Sequence, residues 1–316
     1  MDTLKESSVY LEEKIESTKK EIDDITDGLE SLQVQNDDAK KQVDDIESKI
    51  NNIKSNFKIT VLIASLFGFG LPAILAYNFK TILALAISVP VVIYIFRSYK
   101  TYIGKYNGLD HERRSICEKQ EVQNKSKEYY RKRLEQIAKK NEDYTKGLAG
   151  EKLVSQMLKN LGQDNYLIND IMLHRPFGNI DHILISPHGI FVIETKNWEG
   201  YVLCDGDEWK MHFEGNFKSI DYPLESLSIR VKGNAAKLSQ LIKSKLYRDS
   251  MNVWVDGIII FVNSNIKLSI KDSEVSVVNV ENMCKYIQHQ TLKTNFSSRD
   301  LQSIANFLQK ELIHCD

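Results

Sequence analysis

Cysteine is scarce in this chain, and the four residues present do not cluster. Cys117, Cys204, Cys284 and Cys315 make no CxxC pair and no zinc-type spacing. That excludes a disulfide scaffold and a structural zinc site, and predicts free thiols in a reducing compartment. Proline is nearly as rare, with 5 residues in 316, none of them before Pro72. Net charge is lacking too. The 42 Lys and Arg against 43 Asp and Glu leave −1, which predicts neither a strong nucleic-acid binder nor an acidic tail. The N-terminus, MDTLKESS, is polar and acidic, unlike a signal peptide. The modest mean hydropathy of −0.33 hides strong segmentation.

What is present begins with a heptad repeat. One apolar row is Leu4, Leu11, Thr18, Ile25, Leu32, Ala39, Ile46 and Ile53; the other is Ser8, Ile15, Ile22, Leu29, Asn36, Val43, Ile50 and Phe57. The unbroken 3-4 spacing predicts a coiled coil over 1–57. Thr18 and Asn36 are polar seam positions of the kind that set register. One long amphipathic helix on a bundle is the alternative.

Two apolar runs follow, Ile59–Tyr77 and Thr81–Phe96, separated by Asn78-Phe79-Lys80. Their lengths and basic outer flanks (Lys54, Lys58, Arg97, Lys100, Lys105) predict a transmembrane helical hairpin over 58–98. Both soluble parts would then lie in the cytoplasm, on the inner membrane, with the lipid bilayer as a partner. A buried core hairpin is the competing reading.

Residues 99–146 read as a further helical segment. Leu109, Ile116, Tyr130, Leu134, Ile137 and Tyr144 keep a rough heptad phase that Arg113, Gln120, Gln123 and Lys127 interrupt. Residues 1–57 hold 8 Lys and Arg against 15 Asp and Glu, and residues 97–146 hold 14 against 8. The opposite charges predict that the two helices pack antiparallel as a stalk. A parallel homo-oligomer through the first helix is the competing arrangement, and the two can coexist.

From 147 to 316 the pattern becomes mixed α/β. Gly147-Leu148-Ala149-Gly150-Glu151 opens a helix to about Leu161, and Tyr166–Leu173 reads as a strand. The centre of this region is Asn179–Trp198, two strands joined at Ser186-Pro187-His188-Gly189. Alternation places Glu194 and Lys196 on one face and Thr195 on the other. A loop of two or four residues sets Asp181 opposite Glu194; a three-residue loop with a bulge shifts it to the wrong face. Two carboxylates and a neighbouring backbone carbonyl suit a hard divalent cation such as Mg²⁺. A nearby amine would orient a water or offset developing charge. A solvated cross-strand pair is the plain alternative. Downstream, 201–204 and 208–213 form a hairpin, 224–247 a helix, 253–262 and 275–280 strands, and 281–289 and 297–312 helices. Ser297 and Asp300 supply a capping signal for the last. Arg230, Lys232, Lys237 and Lys243 on the 224–247 helix are candidates for phosphate contact, or else a solvated face.

These residues resemble the NERD (nuclease-related) domain family, which is similar to the PD-(D/E)xK nucleases. The resemblance covers about 147–263 and rests on Gly147, Gly150 and Glu151, then Asp181, then Glu194 and Lys196, with Trp198 and Gly200 following. It implies a restriction-endonuclease-like α/β fold with a mixed central sheet flanked by helices, in a nuclease domain over 147–316. It also implies Mg²⁺ or Mn²⁺ held by Asp181, Glu194 and the Thr195 carbonyl. Lys196 would act on the water or the phosphate, and Glu151 would complete the catalytic set. Glu151 has an alternative role, as an acid favoured by a helix N-terminus. The family's N-P-x-x-Q run is here Tyr222-Pro223-Leu224-Glu225-Ser226, without the Asn or the Gln. The expected activity is phosphodiester hydrolysis in nucleic acid, DNA above all, by a membrane-anchored enzyme. The alternative is a nuclease-like membrane scaffold that binds nucleic acid or protein and cuts weakly or not at all.

Overall fold

A computed structural model describes residues 9–66, 81–162, 164–172, 179–214, 219–246, 252–291, 294 and 296–312. Two helices come first, α1 (Val9–Ser65) and α2 (Thr81–Lys159). They are followed by β1 (Tyr166–Met172), β2 (Asn179–Ser186), β3 (Gly189–Lys196), β4 (Gly200–Asp205), β5 (Glu208–Glu214) and β6 (Ser219–Leu224). Then come α3 (Leu227–Leu246), β7 (Asp256–Phe261), β8 (Ile266–Lys271), β9 (Ser276–Asn279), α4 (Val280–Gln288) and α5 (Ser298–Leu312). The chain divides into two compact units. One is Glu21–Ile137; the other joins Met1–Lys20 to Ala138–Asp316.

In the first unit the heptad rows of α1 are the covered ones: Ile22, Ile25, Leu29, Leu32, Asn36, Ala39, Val43, Ile46, Ile50 and Ile53 are buried or half-buried. They face α2 of the same chain. Glu21 pairs with Arg133 at 2.9 Å, Gln33 with Lys127 at 2.8 Å, Asn36 with Asn124 at 2.9 Å and Glu47 with Arg113 at 3.5 Å. One number rises as the other falls, so the two helices run antiparallel. Phe57 stacks on Tyr102 at 4.2 Å near the far end. The polar residues that interrupt the heptad phase of α2 hold seam positions, because long side chains reach across the seam to acceptors on α1.

The predicted transmembrane hairpin is not supported. Among the described residues no helix is long and apolar enough to cross a membrane. A span needs about 20 apolar residues. The run from Thr81 is interrupted by Pro90 and meets Arg97 after Phe96. Of the first run, only the part to Leu66 is described, and it continues a helix whose preceding turns are charged. Residues 67–80, with Pro72 and the Asn78-Phe79-Lys80 break, lie outside the described residues. The multi-pass topology, the inner-membrane placement and the bilayer partner drawn from this hairpin lose their support with it.

The second unit is mixed α/β, but with two sheets in place of one central sheet. The larger has the order β1-β2-β3-β7-β9, antiparallel from β1 to β3 and parallel from β3 to β9. The smaller has the order β6-β5-β4-β8. Pro223, which cannot donate to a ladder, sits in the edge strand β6. On one face of the large sheet, Ile183, Ile185, Ile190, Val192 and Ile259 pack under α3 and α5. On the other, Leu184, Phe191, Ile193, Ile258 and Ile260 pack under α4 and the last turns of α2. Each such side chain contributes about 1.5–3 kcal/mol on burial. Two glycines set how closely helices approach. A Cβ on Gly257 would lie 2.4 Å from Val231 Cγ1, so β7 admits α3 only without a side chain there. A Cβ on Gly150 would lie 3.0 Å from Asn197 Cβ, so α2 approaches the end of β3 at that turn.

Because β3 leads into β4 and β7 leads into β8, both parallel pairs cross from one sheet to the other at the same place. Val262 N donates to Lys196 O at 2.9 Å there. Trp198, Phe261 and Trp209 fill the junction. The carboxyl end of β3 therefore opens where the sheets part.

Candidate active site

The β2–β3 hairpin turns through Pro187 and His188 alone, and His182 pairs with Ile193. This two-residue loop puts Asp181 and Glu194 on the same face, with Ile183 and Val192. The backbone ladder ends at His182–Ile193, and the Asp181 side chain takes it over: Thr195 N donates to Asp181 Oδ2 at 2.7 Å. Within a strand the N–H and C=O of one residue point to the same side. The Thr195 carbonyl thus faces the Asp181 side, while its side chain points to the other face of the sheet, toward Gly150.

Glu194 is the most enclosed member, with 3% of its side chain exposed, against 17% for Lys196 and 27% for Arg230. Lys196 Nζ donates to Glu194 Oε1 at 2.5 Å, and Arg230 Nη2 donates to the same oxygen. Lys196 also lies 5.7 Å from the Trp198 ring centroid. Burial raises the Asp181 carboxyl to about 7, helped by the charge of Glu194 and opposed by Lys196 and the Thr195 N–H. Burial likewise raises Glu151 to about 8, with Asp181, Asp170 and Glu194 adding repulsion and Lys196 opposing them. The acids outnumber the cations in a buried place, which favours the protonated forms of Asp181 and Glu151.

Glu151 is not at a helix start. Helix α2 runs through Gly147–Glu151 without a break, so a helix N-terminus does not account for this acid. The charges that act on it are those of the strand end and of Asp170. His182 faces away, as alternation requires: its Nδ1 lies 2.8 Å from Asn169 Oδ1, and burial lowers its pKa to about 3. His188 sits in the turn, 3.3 Å from the Gln290 carbonyl.

The basic residues of α3 do not form one patch. At about 100° per residue, Arg230 and Lys237 share one side of the helix and Lys232 and Lys243 nearly the opposite one. Lys232 is committed to Asp207 at 2.9 Å and Glu274 at 2.7 Å. Arg230 points to Glu194. Arg248 lies outside the described residues.

Asp170 escaped the sequence reading. It stands in β1 where the β1–β2 ladder skips a pair, across from Asp181, at a positive φ of 53°. Its carboxylate accepts from Asn179 Nδ2 and, at 3.3 Å, from Tyr10 N in the first turn of α1. The only signal in the sequence was a polar Asn-Asp pair inside an apolar strand.

The donors fit a hard divalent ion in kind: carboxylates and a carbonyl, in excess of the local positive charge. Among the described residues, no three His, Cys, Asp or Glu side chains stand ready as a ligand cage. Mg²⁺ needs fewer, since it is held by one or two carboxylates and keeps several waters.

An uncharacterized protein of Bacillus anthracis is 41% identical over 73 residues, which is 22% of this chain and 34% of that protein. The match thus spans about a third of the relative's length. No solved structure matches. Residues 146–262, which include Glu151, Asp181, Glu194, Lys196 and Arg230, match the family model of the NERD, or nuclease-related, domain.

Proposed function

We propose that this domain hydrolyses phosphodiester bonds in nucleic acid with a divalent ion, Mg²⁺ or Mn²⁺. The observation that carries the reading is the convergence of Asp181, Glu194 and Lys196 on one buried sheet end, with Glu151 within reach of their charges. Asp181 and Glu194 would hold the ion with the Thr195 carbonyl, and Glu151 would orient a water beside it. The ion supplies positive charge at the phosphoryl group and lowers the pKa of water. Lys196, kept at the rim of the site by Glu194 and the Trp198 ring, would donate to the attacking water or to a phosphate oxygen. Removing such a donor costs on the order of 10²–10³ in rate.

The test is cleavage of labelled DNA and RNA by the full chain with Mg²⁺, Mn²⁺ or EDTA. Wild type should cut only with the ion. Lys196→Ala should lose cleavage by at least about a hundredfold yet keep the thermal shift that Mn²⁺ produces. Asp181→Asn and Glu194→Gln should lose both. Cleavage insensitive to EDTA, or four proteins with identical behaviour, would sink the reading.

Two observations favour a second reading, a domain that binds nucleic acid or protein without cutting. Glu194 already carries two cations, and Ser226 stands where the related domains carry Gln. Nucleic-acid binding without ion-dependent cleavage in the same assay would select it.

A further inference from the structure

Arg230 does something its place on the helix does not require. It lies in the first turn of α3, whose backbone is fixed by Val231 wedged against Gly257. From there it reaches down to the buried Glu194 carboxylate. Its guanidinium is only half used. Nη2 donates to Glu194, while Nε is buried with no partner among the described residues. A buried donor left unpaired is costly, so this arrangement does not satisfy the fork. Arg230 is also the most exposed of the three charged groups that meet there.

Charge counting gives the arrangement a direction. With Asp170 set aside at the edge of the site, Glu151, Asp181 and Glu194, when fully ionised, exceed Lys196 and Arg230 by one negative charge. A divalent ion turns that into one positive charge. A phosphodiester, with its single negative charge, returns the cluster to neutrality. Guanidinium matches phosphate as a planar fork, which a single ammonium cannot do.

We propose that Arg230 is an exchangeable counter-cation: it occupies Glu194 in the ion-free protein, yields that carboxylate to the divalent ion, and then pairs with a substrate phosphate. This rests on the metal-dependent nuclease reading and adds to it a residue that both competes with the ion and recruits the substrate.

The experiment compares wild type, Arg230→Gln and Arg230→Lys as full chains. Calorimetry gives the Mn²⁺ affinity. Anisotropy of a labelled DNA duplex with Mn²⁺ gives phosphate binding, with Lys196→Ala added throughout so that the duplex stays intact. Arg230→Gln should bind Mn²⁺ about tenfold tighter, the size of one close charge pair. It should bind the duplex about tenfold more weakly, with the salt slope reduced by about one. Arg230→Lys keeps the charge, so its Mn²⁺ affinity should stay within about twofold of wild type while duplex affinity falls. It also serves as the informative variant if Arg230→Gln does not fold. Unchanged or weaker Mn²⁺ binding by Arg230→Gln, or a tenfold loss of Mn²⁺ binding by Arg230→Lys, would make Arg230 a structural tether and overturn the proposal. Tighter Mn²⁺ with unchanged duplex binding would overturn its phosphate half. Mn²⁺ binding by Arg230→Gln but not by wild type would support the competition in its strongest form. No Mn²⁺ binding by any of them would end the metal-dependent reading itself, and the proposal with it.

Discussion

At the residue scale, two acids of the site are held above their ordinary range. Asp181 is raised from 3.8 to about 7 and Glu151 from 4.5 to about 8. A carboxyl whose folded pKa exceeds its unfolded one binds protons more tightly when folded. Its contribution is fully present below the unfolded pKa and is lost as pH rises through the folded one. The ion-free protein should therefore lose stability from about pH 4 to about pH 8. His182 works in the other direction: lowered from 6.5 to about 3, it costs stability as pH falls through that range. The interval from about pH 6.5 to pH 8 isolates the carboxylates. With EDTA present, the thermal midpoint should fall across it, and Asp181→Asn should flatten the fall and raise the midpoint at pH 8. Mn²⁺ affinity should climb over the same interval, since the ion competes with those protons. A wild-type midpoint that is level or rising from pH 6.5 to 8 would show the acids to be compensated by some other means. Asp181 and Glu194 were legible because strand parity and a two-residue turn are local rules. Asp170 and the true partner of Arg230 were not, because each is fixed by an element distant in sequence.

At the element scale, periodicity carried most of the information. The 3-4 rows of α1 are the rows that α2 covers, and the opposite charges of the two helices appear as the Glu21–Arg133 and Glu47–Arg113 pairs. Pairing within one chain makes a definite prediction. Ile25 and Leu134 both lie on the covered seam. Cysteines placed at these two positions should crosslink within a single chain under mild oxidation, read as a monomer of altered gel mobility. Crosslinks found only between chains would favour a parallel oligomer through α1 instead. Strands β6 and β8 are mostly exposed, and the apolar-polar alternation of Ile266–Lys271 spans only six residues beside the stronger apolar strand at 253–262, so neither stood out. The helix expected to open at Gly147 is in truth a stretch of α2. Glycine there looked like punctuation, whereas Gly150 serves the close approach to Asn197.

At the scale of the whole molecule, the nuclease-related region is not bounded by its own segment. The unit that contains it takes in the chain up to Lys20 as well as everything from Ala138. Tyr10 N reaches Asp170, Glu12 pairs with Lys152 at 3.2 Å, Asn141 Nδ2 donates to Ile15 O at 3.4 Å, and Leu11 touches Gly147. Deleting residues 1–20 should lower the thermal midpoint of this unit even though every candidate site residue remains. Surface pairs contribute only about 0–1 kcal/mol each, so the loss should come chiefly from uncovering the apolar face of α2. All three tryptophans, Trp198, Trp209 and Trp254, belong to this unit, so their fluorescence reports its unfolding directly. An unchanged midpoint would mean that the N-terminal helix is a passive neighbour.

The sequence by itself determined what depends on neighbours along the chain. The heptad seam, the alternation that puts Glu194 and Lys196 on one face of a strand, the capped start of α5 at Ser297, and the nuclease-related motif all follow from spacing; that Asp181 joins that face was settled by the two-residue loop of the folded hairpin. Only the tertiary structure decided what depends on chain segments meeting. It put Arg230 on Glu194, set Asp170 across from Asp181, split the strands into two sheets that part at the carboxyl end of β3, and brought the N-terminal helix against the region around Gly147. The physical reason is the same in each case. Periodicity records which side of an element is apolar, but not which distant charge or backbone will be pressed against it.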